Sequence, residues 1–257
     1  MTRSSPKTVC FGRHSISLCD APCVDGAPAS GDDGAMDLLR LLADHRCAGC
    51  GVRGAVLCRV CRGALPWLAG PLCLRCGEPE PQPTIRCPVC RRLGAAVGTV
   101  RSAIALAGVG NALMRCWKDG ARAPLAAFAA SCVVAAVPRP AVDLIVPIPG
   151  ARSRTAWRGL DGPHDLARQL GQRWQVPVQS AVLERVHERP QRGLSAAQRQ
   201  RNASGAFAAR SRVGGRVLLV DDVMTTGATL RAGVRQLRRA GAAHVDVVTF
   251  ARVVTRL

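Results

Sequence analysis

An α/β architecture with a parallel sheet, preceded by a small cysteine-rich unit, is the fold class that this sequence predicts, on three observations. Val217 to Val220 form a continuously apolar run of the kind that suits a strand buried on both faces. The run leads into Asp221 and Asp222 and then, past Thr225 to Thr229, into apolar residues at helical spacing. Strand-like and helix-like stretches alternate through residues 96–257, which argues for crossover connections and parallel pairing. Four Cys-x2-Cys pairs crowd into residues 47–90. A chain of 257 residues has room for one sizeable α/β domain and something small beside it.

In chain order, residues 1–36 are polar, rich in Gly, Pro and Ser and without periodicity, and they read as a disordered tail. Met36 opens a short apolar helix (Leu38, Leu39, Leu41, Leu42) directly before the cysteines, so the residues ahead of it can be an artefact of start-codon choice. Cys10, Cys19 and Cys23 offer one Cys-x3-Cys spacing with no fourth ligand nearby. Free thiols on a tail is the plainer reading.

Residues 37–95 carry Cys47-x2-Cys50, Cys58-x2-Cys61, Cys73-x2-Cys76 and Cys87-x2-Cys90. Each pair can form a knuckle that presents two thiolates to one ion, and two knuckles complete a tetrahedral site of four cysteines. Four pairs make two sites, a double zinc ribbon. Gly49, Gly51 and Gly77 sit beside the pairs, as tight knuckles require. The segment has too little apolar material to fold unaided, so zinc would supply its folding free energy. Sequential pairing keeps each loop short and is preferred to an interleaved arrangement; an iron–sulfur cluster would use the same ligands. All four positions of each site are filled by thiolate, which leaves no place for a reacting water and argues for two structural Zn²⁺ sites. His45 reads as a solvated histidine rather than a ligand.

Residues 96–257 form the second unit. Thr99 to Ala107 reads as its first strand, and Asn111 to Lys118 as a short helix ending in Trp117-Lys118-Asp119-Gly120. Pro124 to Val137 is an apolar helix with Pro124 in its first turn. Val142 to Val146 is a second buried-type strand, followed by Pro147-Ile148-Pro149, and Pro163 to Arg173 is a helix. Residues 181–203, rich in Arg and Gln and weakly periodic, read as a mobile loop. After the Val217 strand, Leu230, Val234 and Leu237 recur at helical spacing, with Arg231, Arg235, Arg238 and Arg239 on the other faces and Gly241 as a left-handed stop. Val245 to Phe250 is the last strand. Cys116 and Cys132, isolated and apolar-flanked, read as core residues.

The formal net charge is +19, and every cation except Lys7 and Lys118 is arginine. That balance suits anionic partners, phosphorylated metabolites or nucleic acid, unless it simply reflects an Arg-rich composition throughout the surface. With no Tyr, four Trp and four Phe, platforms for stacking single-stranded bases are scarce. No apolar run is long enough to span a bilayer and none resembles a signal peptide, so no membrane insertion is expected. The Cys-x2-Cys spacing points to metal rather than disulfides, consistent with a cytoplasmic protein with reduced thiols.

The chemistry gathers at residues 221–229. Thr225, Thr226, Gly227, Ala228 and Thr229 place backbone N–H groups and three hydroxyls at a helix N-terminus, where unpaired donors and the helix dipole favour a phosphate dianion. Gly227 lets the backbone come close. Asp221 and Asp222 at the carboxyl end of a strand cannot hold the same phosphate; they suit vicinal ribose hydroxyls or a hydrated Mg²⁺. A sugar phosphate spans that distance. A bare structural unit whose acid merely caps the helix would need one Asp, not this ordered set. No nucleophile–base pairing suggests hydrolysis, and His164, His187 and His244 have no evident partner.

The thirteen residues Val217 to Thr229 resemble, along their full length, the phosphoribosyl pyrophosphate (PRPP) signature of type I phosphoribosyltransferases. Three further segments resemble the ComF/GntX group of phosphoribosyltransferase-like proteins. They are Asp143 to Pro149 with Arg154 and Arg158-Gly159; Gln191 to Ser195 with Arg201-Asn202 and Ala206-Phe207; and Trp117 to Gly120. A double zinc ribbon ahead of the transferase-like fold is that group's usual layout, so the resemblance covers about residues 37–257. It implies the type I phosphoribosyltransferase fold, with PRPP or another ribose 5-phosphate as ligand. Asp221 and Asp222 would hold the ribose hydroxyls and stabilise oxocarbenium-like charge as catalytic residues, and Thr225 to Thr229 would hold the 5-phosphate. Pyrophosphate and Mg²⁺ would sit near the Pro147–Arg154 loop, with Lys118, Arg154 and Arg158 as candidates to hold them. Arg192, Arg199 and Arg201 would close as a lid or touch a nucleic-acid backbone.

Members of the group are linked to DNA uptake and competence, which implies single-stranded DNA and a DNA-uptake ATPase as partners; the alternative reading is a non-catalytic DNA-binding or adaptor protein. In place of the group's aromatic residue and Asn-Gln after Arg-Gly, this chain has Leu160-Asp161-Gly162. No residue pattern in the zinc segment, which occupies the acceptor-recognising element's place in chain order, spells a particular nitrogen base.

Overall fold

The computed structural model describes residues 46–119, 124–150, 161–186 and 205–255. The expected tail and Met36 helix, Cys10, Cys19, Cys23, His45, Arg154, Arg158, His187, Arg192, Arg199 and Arg201 lie outside the described residues.

Two short helices, α1 (Arg59–Gly63) and α2 (Pro88–Leu93), belong to the cysteine-rich unit; each starts at a cysteine N-cap, Cys58 and Cys87. Four parallel strands follow: β1 (Val100–Ala105), β2 (Leu144–Pro147), β5 (Arg216–Met224) and β6 (His244–Arg252), in spatial order β1-β6-β5-β2. Between them run α3 (Gly108–Asp119), α4 (Pro124–Ala136), α5 (Gly162–Trp174) and α6 (Ala228–Arg239). The sequence signals for these elements hold to within a few residues. The stop at Gly241 is real: its φ is +111°, its N–H donates to Arg238 O, and the Ala242 N–H reaches back to Leu237 O, which satisfies two end carbonyls of α6.

Both faces of the sheet are covered. Leu218, Val220, Val248 and Phe250 pack with α3, α4 and α5, whereas Val217, Leu219, Val245 and Val247 pack with α6. This is the side-chain alternation of a strand buried on two sides, and it explains why β5 is apolar without a break from Val217 to Val220. Neither core stops at the sheet. The first includes Cys47, Leu57, Cys61 and Leu65, and the second includes Cys73, Cys76, Cys87, Cys90 and Leu93. Cys132 is buried in the first core, and burial raises its thiol to about 11 against a smaller opposing pull from Arg62.

Two expectations need correction. The 181–203 stretch is not all loop: β3 (Leu183–Arg185) pairs antiparallel with β4 (Phe207–Ala209). Two buried residues, Val182 and Leu183, and a guanidinium of Arg185 stacked 4.6 Å over Phe207 hold this arm, too few apolar positions to show a period. The β5 strand also does not stop before the acids. It continues through Asp221 and Asp222 to Met224, because β6 goes on pairing with it (Asp221 with Thr249, Met224 with Arg252) after β2 has ended at Pro147.

Candidate functional site

The helices that follow neighbouring strands leave the sheet on opposite sides. After β2 the chain enters α5 on one face; after β5 it enters α6 on the other. A crevice therefore opens between the carboxyl ends of β2 and β5, the position at which open α/β sheets bind ligands. The Ile148 N–H makes a last ladder bond of 2.8 Å to Val220 O, and beyond it this side of β5 no longer pairs with β2.

The alternation that builds the core also separates the two acids. Asp222 lies on the α3–α5 side, where Lys118 at the end of α3 approaches its carboxylate at 3.3 Å; the two side chains are 15% and 41% exposed. The indole of Trp117 and Gly162 at the start of α5 flank the same carboxylate. Trp117 stands edge-on to Phe250 at 5.9 Å, and its Nε1 is buried without a hydrogen-bond partner. Asp221 points the other way and is buried, with the Asp222 N–H donating to its Oδ1 at 2.9 Å. Burial pushes the Asp221 carboxyl well above the usual carboxylate range; the neighbouring Asp222 charge adds to this, and Lys118 opposes it. Of the two acids, Asp222 is thus accessible and paired to a lysine, and Asp221 is buried and resists ionisation.

Thr225, Thr226 and Gly227 form the turn from β5 into α6, and Ala228 and Thr229 are the first residues of that helix. The helix cap is Gly227 at φ +74°, a conformation a side chain would strain. A Cβ there would also collide with Leu93. The Thr226 hydroxyl accepts from the Ala228 N–H at 3.4 Å. The first-turn N–H groups of α6 have no intrahelical acceptor, so this turn presents a row of donors beside the crevice.

On the opposite wall, Gly150 N–H donates to Asp161 Oδ2 at 3.2 Å, tying the loop after β2 to the start of α5. Asp161 Oδ1 is buried without a partner, and burial raises this carboxyl above its ordinary value against the Gly150 and His164 N–H groups. Asp161 stands where the chain departs from the ComF/GntX pattern, in the Leu160-Asp161-Gly162 run, and that departure is the one sequence signal that marks it. Lys118, the lysine of the Trp117–Gly120 segment, stands at the crevice against Asp222.

The eight ribbon cysteines gather as two tetrads, Cys47, Cys50, Cys58, Cys61 and Cys73, Cys76, Cys87, Cys90, with all sulfurs in a tetrad within 4.8 Å of one another. Pairing is therefore sequential. The sulfurs are 3.4 Å apart for Cys73–Cys90 and for Cys76–Cys87, and 3.7 Å for Cys50–Cys58. Ligands about 2.3 Å from a tetrahedral ion stand about 3.8 Å from each other, so both tetrads fit such an ion with little movement. Burial opposes ionisation of Cys47, but N–H groups of Cys58, Cys50 and Gly49 outweigh it and hold the thiol at about 7. Cys73 is held at about 6 in the same way by Cys76, Cys87 and Arg75. Burial raises Cys61, Cys76 and Cys90. One thiol per tetrad is thus ready to meet a cation, and the others ionise once the ion offsets their burial.

Residues 163–256 match the family model of the phosphoribosyl transferase domain. Competence protein F of Haemophilus influenzae is 36% identical over 115 residues, 43% of this chain and 50% of that protein; the chain spans about half the length of the curated relative it matches. A glutamine PRPP amidotransferase from B. subtilis, solved with ADP and GMP, is similar at 24% identity with a TM-score of 0.34, over 50% of this chain and 26% of that one. A purine phosphoribosyltransferase from Pyrococcus horikoshii is similar at 20% identity with a TM-score of 0.32, over 51% and 73%.

Proposed function

We propose that this chain, which belongs to the ComF-type phosphoribosyltransferase-like family, binds PRPP or another ribose 5-phosphate in the crevice between β2 and β5. One observation carries the reading: a donor-lined turn at Thr225–Ala228 lies on the same strand–helix junction as an accessible Asp222 already paired to a cation. The 5-phosphate would sit on the turn, where N–H groups and the helix dipole favour a dianion. The ribose hydroxyls would donate to Asp222, with Asp221 behind it. Lys118 would move from Asp222 to the pyrophosphate oxygens, with Arg154 and Arg158 as further candidates there. Mg²⁺ would enter with PRPP and offset the pyrophosphate charge; the chain's own part is to orient the ring and hold the phosphate.

Zinc is the ion that the two tetrads suit: four thiolates each, closed and tetrahedral, a structural donor set. Among the described residues, no helix is long and apolar enough to cross a membrane. The relative's name, competence protein F, supports a role in competence. Single-stranded DNA and an uptake ATPase as partners, and the cytoplasm as the place of action, are proposed from the resemblance to the ComF/GntX group.

Calorimetric titration with PRPP, with and without Mg²⁺, tests the reading. Binding that requires Asp222 and strengthens with Mg²⁺ is expected; no heat with PRPP or ribose 5-phosphate would end it. In the same assay, pyrophosphate release on adding nitrogen bases marks a transferase, whereas binding without release marks a ligand-stabilised module. For DNA, affinity for a single strand should fall steeply as salt rises.

A further inference from the structure

We propose that the second cysteine tetrad is the brace of the phosphate turn: its metal, by holding α2 in place, sets the conformation of Thr225–Gly227 and hence the affinity for phosphate. The inference rests on the ribose 5-phosphate reading above and adds a control point to it.

The contacts run in a short chain. Cys90 lies within α2, and Leu93 ends that helix three residues later, 2% exposed and in one apolar cluster with Cys73, Cys76, Cys87 and Cys90. Leu93 lies against Gly227 so closely that the glycine has no space for a Cβ. One residue earlier, the carbonyl of Arg92 accepts from Arg231 Nη1 at 2.8 Å, and the Arg231 N–H in turn donates to Gly227 O at 2.9 Å. The other flank of the turn is held from the same tetrad. Arg252 donates to Cys76 O at 2.5 Å and pairs with the buried Glu78, and Arg252 stands in register with Met224, the residue just before the turn. The Val253 N–H also donates to Met224 O at 2.8 Å.

A turn with a left-handed glycine has alternative peptide orientations within thermal reach, and a phosphate needs one of them, with the N–H groups outward. Preorganising that orientation saves ordering cost on binding. Leu93 packs directly against Gly227 and so restrains it, and a metal in the tetrad would keep Leu93 there, because α2 is six residues long and would not hold as a helix alone. The first tetrad has other partners among the described residues: Cys116 Sγ at 3.5 Å from Ala48 O on the α3 side, and Arg62 over Phe128 of α4 at 5.6 Å. The two tetrads therefore differ in what they control.

The test uses the full zinc-loaded chain, with ribose 5-phosphate as probe, since it carries the 5-phosphate and no pyrophosphate. Leu93→Ala is expected to keep two metal ions by native mass spectrometry, to bind ribose 5-phosphate at least tenfold more weakly, and to speed hydrogen exchange at residues 225–228 of the free protein. Leu93→Met should restore both. Cys90→Ser should lose one metal ion and show the same exchange change, whereas Arg62→Gln on the first ribbon should leave exchange at the turn as in the wild type. If Leu93→Ala does not fold, Arg231→Gln, which removes only the bond to Arg92, should still speed exchange at the turn. Unchanged exchange at 225–228 in these second-ribbon variants would overturn the brace. Failure of the wild type to bind PRPP or ribose 5-phosphate would instead remove the ligand reading, and the exchange data would still decide whether the metal shapes the turn.

Discussion

At the scale of single residues, the two neighbouring aspartates differ in kind. Asp222 is reachable and holds Lys118, so on the proposed reading its replacement takes a carboxylate away from the ribose hydroxyls. A hydrogen bond to a charged group contributes about 1.5–3 kcal/mol. Asp222→Asn should therefore weaken PRPP by roughly tenfold to a hundredfold in calorimetry. Asp221 carries the opposite stability sign. Its folded pKa is raised by burial and by Asp222, so its contribution to stability is fully present below the ordinary carboxylate pKa and is lost as pH rises through the folded value. Asn copies the neutral form. Asp221→Asn should raise Tm at pH 7 and not at pH 4, and each kcal/mol regained at this size moves Tm by about 2–4 °C. A lower Tm at pH 7 would count against a strained, buried carboxylate. Asp246, at the far end of the sheet, behaves conversely. Burial opposes its charge, but the Thr99 N–H and hydroxyl and His244 outweigh that and lower its pKa, so its stabilisation holds above the usual carboxylate range and is lost on acidification.

At the scale of elements, the strap between β6 and the second ribbon stands out. Arg252 and Glu78 are each 1% exposed and pair directly, while the Thr255 N–H and hydroxyl also donate to Glu78. Removing one partner from such a pair leaves a buried charge and costs about 3–5 kcal/mol. Glu78→Leu should lose stability of that order in urea unfolding, and Glu78→Leu with Arg252→Met should recover a large part of it. Equal losses in the single and double variants would mean that the pairing contributes nothing beyond packing. The same strap explains why a glutamate follows the Cys76 knuckle: it receives the end of β6.

At the scale of the whole molecule, the ribbons and the sheet share both apolar cores. Stripping the metal should therefore lower stability in one cooperative transition that includes the sheet, read by circular dichroism after chelation, with two ions lost per chain. A ribbon that melts alone while the sheet stays at its original Tm would show that the cores are independent. The sequence by itself determined the local units, because their rules are local: alternating apolar elements, a cysteine pair per knuckle, a glycine where a helix stops, and an ordered acid–threonine–glycine run at a strand–helix turn. It also carried the sequential pairing of the tetrads, since short loops close at little entropic cost. Only the tertiary structure decided that Asp221 and Asp222 face opposite sides, because that depends on β6 extending the strand past β2. Likewise, Asp161 reaches Gly150 and Leu93 backs Gly227 through packing between segments far apart in the chain, and no spacing within a single segment encodes a contact of that kind.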